Sequence, residues 1–134
     1  MENPNDPDQT KILTCNEIIN SIRKSISKVI SVGSDWDGYD GYYVYERDAD
    51  KYKQYLSNKL DKIEKQCRSK PNLYTCNSNN QTISWMSDDG DKHSLSLRKD
   101  EIRESEDEGS KGSSITDYYF NREPALSSSI TQKL

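Results

Sequence analysis

LYTCNSNNQTISWMSDDGDKHSLSLR, residues Leu73–Arg98, alternates in polarity twice. Ile83 and Trp85 fall on one side of an extended chain, with Thr82 and Ser84 on the other. Leu95 and Leu97 repeat the pattern against Ser94 and Ser96. A period of two is the signature of a half-buried strand, because successive side chains of an extended backbone point to opposite faces. With the turn-rich SNN and SDDGD between them, residues 73–77, 81–86 and 93–98 are expected to form an antiparallel meander with one dry side and one wet side.

A dry sheet face needs a covering layer, and the upstream sequence supplies two helices. Residues 49–68 carry Tyr52, Leu56, Leu60, Ile63 and Cys67 on one face, open with acid at Asp48 and Asp50, and stop before Pro71. Ile18, Ile19, Ile22, Ile26, Val29 and Ile30 form a second stripe at helical spacing. Thr14-Cys15-Asn16-Glu17 has the form of a capping box, with Leu13 and Ile18 as a staple and Gly33 as a stop, so this helix is expected over 15–32. Tyr42 and Val44 alternate with Tyr43 and Tyr45, which gives a short strand at 41–46. The fold class expected is α+β, two helices packed on a small antiparallel β-meander in the order α-β-α-β-β-β.

The ends read differently. Residues 1–10 are a polar arm, and 11–100 form the single domain. From 101 to 134 the chain is rich in serine and acid, with 7 acids and 4 bases, and is expected to be a flexible tail. Within it Tyr118, Tyr119 and Phe120 form an aromatic run suited to docking on a partner, and Ser105, followed by EDE, is a phosphorylation candidate. Leu, Ile, Val and Phe make up only 23 of 134 residues, so the core is small and a partner or homodimer is favoured. Ser is abundant (19) and Ala scarce (2), a composition common in AT-rich genomes such as those of many viruses.

The function reading rests on DWDGYDGYYVY, Asp35–Tyr45, which gathers five of the twelve aromatic residues with three carboxylates. Large rings with few torsions beside polar groups make a recognition surface. Trp36, Tyr39, Tyr43 and Tyr45 are the expected anchors, with Asp35, Asp37 and Asp40 matching a basic or mixed protein surface. The same segment fails the calcium-loop pattern, since Tyr39 and Asp40 stand where an acid and a glycine are needed. Cys15, Cys67, Cys76 and His93 could in principle surround zinc, but no CxxC pair is present, so no metal or cofactor is expected. Three cysteines without a framework read as reduced thiols, and Cys67–Cys76 is the one disulfide the sequence brings to mind.

A net charge of −4 disfavours nucleic acid, no long apolar run suggests a membrane span, and a polar acidic start suggests no signal peptide, so the reading is cytoplasmic. No nucleophile elbow, phosphate loop or metalloprotease helix is present. The expected function is therefore a non-enzymatic protein–protein interaction module. The alternatives are a small acidic dimeric assembly or secretion chaperone, and a metal-dependent hydrolase built on Asp and Glu.

Overall fold

The computed structural model describes residues 7–38 and 41–122, with side chains described for 9–34 and 48–122. The chain is α+β. In order it forms α1 (Pro7–Ser25), a 3-10 turn (Ile26–Lys28), β1 (Ser31–Gly38), β2 (Gly41–Arg47) and α2 (Ala49–Ser69). After a second 3-10 turn (Pro71–Leu73) come β3 (Tyr74–Asn77), β4 (Thr82–Met86), β5 (Lys92–Leu97), β6 (Glu101–Asp107) and β7 (Gly112–Tyr119). The strands make one sheet in the order β2-β1-β7-β6-β5-β4-β3, antiparallel throughout. Both helices lie on one face. No described helix is long and apolar enough to cross a membrane.

α2 matches its sequence signals. The Asp48 carboxylate caps it by accepting from the Lys51 N–H at 3.2 Å, and Leu56, Leu60, Ile63 and Cys67 are buried. α1 buries Cys15, Ile18, Ile19 and Ile22, but it starts at Pro7 and ends at Ser25, earlier than the expected 15–32. Proline suits the first turn, where its missing N–H is no loss. Thr14 is thus mid-helix and caps nothing: its hydroxyl donates to the Thr10 carbonyl at 3.0 Å. Residues 7–10 belong to the helix rather than to a polar arm, and 1–6 lie outside the described residues. Gly33, the expected stop, sits inside β1 opposite Glu46 and Asp117.

The largest correction concerns the expected flexible tail. Residues 101–119 build β6 and β7, and β7 pairs with β1 and β6 near the middle of the sheet. Gly109 and Gly112, at φ 68° and 114°, make the turn between them. Residues 123–134 lie outside the described residues. Tyr118 is fully buried and Phe120 packs against the core, so neither is a free docking anchor; Tyr119 is half-buried beneath the Arg122 guanidinium, 4.7 Å from its ring centre. Ser105 lies within β6, half-buried and 2.5 Å from the Ser94 hydroxyl, not in the extended loose segment a kinase engages.

The cysteines also differ from expectation. Cys15 on α1 and Cys76 on β3 form a disulfide, with Cα atoms 5.3 Å apart, and Cys67 is free and buried. That corrects the reduced-thiol reading for Cys15 and Cys76, leaving it for Cys67, and removes the Cys67–Cys76 pairing and the four-ligand zinc set.

Candidate functional site

Sheet register explains where a cavity forms. One row across the helix-facing side runs Tyr74, Trp85, His93, Glu106, Ser114, then positions 36 and 43. The next runs Cys76, Ile83, Leu95, Glu104, Thr116, Ser34, then position 45. The second row changes from apolar to polar on passing from β5 to β6, and the first already does so at His93 on β5. Over the apolar half the helices close down on Ile83 and Leu95, which are fully buried. Over the polar half, the first turns of α2 leave a cavity of 330 Å³ with Tyr52 and Tyr55 above and Ser34, Glu106, Ser114 and Thr116 below.

Charge within this region is unevenly satisfied. Glu104 accepts from the Lys59 ammonium and from the Tyr118 hydroxyl, the latter at 3.2 Å. Burial alone pulls the Lys59 pKa down, but the facing Glu104 charge and hydrogen bond outweigh it and leave the ammonium more firmly protonated than usual. Burial, then Glu104, push the Tyr118 hydroxyl pKa up, so it stays protonated and donates to Glu104. The Ser34 and Thr116 hydroxyls share one hydrogen bond at 3.0 Å. Glu106, half-buried, has no hydrogen bond or ion pair among the described residues. Its carboxylate lies within 4.8 Å of those of Asp91 and Glu108. Burial raises its pKa; His93 and Lys59 oppose the rise, and Glu108 and Asp91 add to it.

A raised carboxyl pKa means that the folded chain holds this proton more tightly than the unfolded chain. Glu106 therefore contributes most to stability at pH below its ordinary range, and the contribution falls as pH climbs through its folded value. Glu106→Gln is expected to raise the thermal midpoint at pH 7 by about 1–3 °C and to change nothing near pH 3.5. Melting curves at the two pH values check this, and a loss of stability at pH 7 would show the carboxylate to be satisfied.

Farther along α2, Trp85 stacks on His93 with ring centres 5.3 Å apart and meets Tyr74 at 5.5 Å. A second hollow of 250 Å³ lies there under Lys59, Lys62 and Gln66.

Asp35, Trp36 and Asp37 lie on β1, and Tyr43 and Tyr45 on β2. Tyr39 and Asp40 lie outside the described residues. The segment runs as a hairpin paired Asp35 to Val44 and Trp36 to Tyr43, not as a twelve-residue wrapped loop. Positions 36, 43 and 45 share rows with the cavity floor, so the hairpin and the cavity adjoin. Sequence reading missed Glu106, Tyr55, Ser34 and Thr116. The spacing of Glu104 and Glu106, two apart and so on one face of a strand, was the signal available for the acids. Compared with known proteins, the chain matches no family model, no curated protein and no solved structure.

Proposed function

We propose that the chain is a non-enzymatic interaction module that accepts an extended segment of another protein as an added strand along β2. The observation that carries this is the asymmetry of the two sheet edges. β3 is four residues long, follows the Pro71 turn, and is tied to α1 by the disulfide. β2 is seven residues long, contains no proline, and has no strand neighbour on its outer side among the described residues. An open edge of that length presents backbone donors and acceptors ready to pair, which native sheets otherwise blunt or cover. Asp35, Asp37 and Glu46 on the hairpin favour a basic or mixed segment. In support of the non-enzymatic part, two of the titratable groups on this face are engaged, Glu104 by Lys59 and Tyr118 and His93 by stacking on Trp85, while Glu106 has no nucleophile or second catalytic group hydrogen-bonded to it among the described residues. The disulfide supports an oxidising compartment in place of the reducing cytoplasm expected from the sequence.

Affinity purification from the native source supplies the partner, and single proline substitutions at 42–46 then test the mode. In an edge strand, alternate N–H groups point outward. Proline at the outward positions is expected to cut binding at least ten-fold with an unchanged circular dichroism spectrum, while the inward positions damage the hairpin itself. A flat profile along 42–46 rejects strand addition. Sedimentation at micromolar concentration separates this from pairing of β2 with a second copy of the chain.

A further inference from the structure

Independently of the edge, we infer that the cavity between α2 and strands β1, β7 and β6 binds an organic cation, an ammonium or guanidinium group, with Glu106 as its counter-ion and the Tyr52 and Tyr55 rings as its wall. Three observations converge on this chemistry. Glu106 is the cavity carboxylate left without a hydrogen bond or ion pair, whereas Glu104 is already neutralised by Lys59. Asp91 and Glu108 crowd within 4.8 Å of it, so the local field is negative and an incoming cation relieves repulsion as well as desolvation. The two tyrosine rings stand 6.0 Å apart and tilted by 54°, and aromatic faces attract soft organic cations. The Lys59 ammonium lies 4.8 Å from the Tyr55 ring centre, so this ring already makes one cation–π contact within the chain.

The alternatives fit less well. A neutral ligand would leave Glu106 with only the fields of Lys59 and His93 to offset its charge, neither of them bonded to it. An anion would meet Glu106 and Glu104, while Lys59 is already paired with Glu104 and Lys51 stands exposed at the rim. A hard divalent ion takes six or more oxygens, and here one side of the cavity is ring carbon. The volume, 330 Å³, is at the small end of ligand sites and suits a short alkyl chain with a charged head. Such a head can come from a free amine or from a lysine or arginine side chain of a docked segment.

The test is a titration of the full chain at pH 7, followed by amide NMR, with propylammonium chloride as probe and sodium acetate, sodium chloride and calcium chloride as comparators. Saturable shifts at Ser34, Tyr52, Glu106 and Thr116, with a dissociation constant on the order of millimolar, are expected for propylammonium alone. Glu106→Gln, which keeps shape and removes charge, is expected to weaken binding at least ten-fold with an otherwise unchanged spectrum. Lowering the pH to 4 is expected to weaken it as Glu106 takes up a proton. Nα-acetyl-lysine amide distinguishes the sources: binding equal to propylammonium assigns the cation to a protein side chain, and much weaker binding assigns a free amine. The inference is overturned by no saturation up to about 50 mM, by equal shifts with acetate, by a response to calcium alone, or by an unaltered affinity in Glu106→Gln. None of these outcomes depends on whether a partner strand adds to β2.

Discussion

A chain ending at Asp100 is expected to lose its cooperative unfolding transition altogether. A boundary at residue 100 is where the sequence places the end of the domain, yet β7 joins the β1–β2 hairpin to the rest of the sheet. Removing 101–134 takes away both strands between β1 and β5, and with them the fully buried Ile102 and Tyr118. Val32, buried opposite Tyr118, would then face water. Each such side chain contributes roughly 1.5–3 kcal/mol on burial, in a molecule whose whole stability is on the order of 5–15 kcal/mol. The lost pairing adds to this. Arg103 and Asp117, opposite each other on β6 and β7, form two hydrogen bonds of 2.8 and 3.0 Å that lock the register. Urea unfolding followed by circular dichroism and tryptophan fluorescence gives the answer. The milder Tyr118→Ala in the full chain is expected to cost about 3–5 kcal/mol, both by opening a cavity and by leaving Glu104 one donor short. A shortened chain that unfolds with a sharp transition and the full-length midpoint would mean that β6 and β7 are not part of the folded core.

The reason that boundary misleads is physical. In β6 both faces are polar: Arg103, Ser105 and Asp107 point to the side of the sheet away from the helices, and Glu104 and Glu106 point to the cavity and its rim. Only Ile102 reaches the dry core, so a strand in the sheet interior has the composition of an unfolded segment. β1 was equally illegible. Its SVGSDWDG has two glycines and two acids, and it is held as a strand by neighbours on both sides rather than by its own propensity. By contrast α2 and strands β3–β5 were readable, because each carries a strong period and packs its apolar positions directly under or on the helices. α1 showed its buried face but not its ends. Pro7 and the polar turn after it carry no apolar stripe, and Val29 and Val32 prolong the hydrophobic pattern past the helix into β1. The cavity could not be read at all, since Ser34, Tyr55, Glu106 and Thr116 come from four elements whose adjacency depends on the two strands taken for a tail.

The disulfide carries the second large expectation. Reduction, or Cys15→Ser, is expected to lower stability by about 4 kcal/mol, from the entropy of closing a loop with a cysteine separation of 61, and so to lower the thermal midpoint by roughly 10–20 °C. Cys67→Ala leaves the loop closed and is expected to cost less, through lost packing alone. Thiol titration of the unreduced chain in denaturant is expected to count one free group per molecule; three would remove the bridge. The structural consequence exceeds the energy. β3 is short and lies at one end of the sheet, and the bridge holds α1 against it. Once freed, that strand can fray and expose the longer β4 behind it, giving the sheet a second open edge. Reduced protein is therefore expected to self-associate below its own melting temperature while oxidised protein at the same concentration does not, a difference that light scattering during a slow thermal ramp resolves. Equal scattering in both forms would show that α1 guards this edge through packing alone.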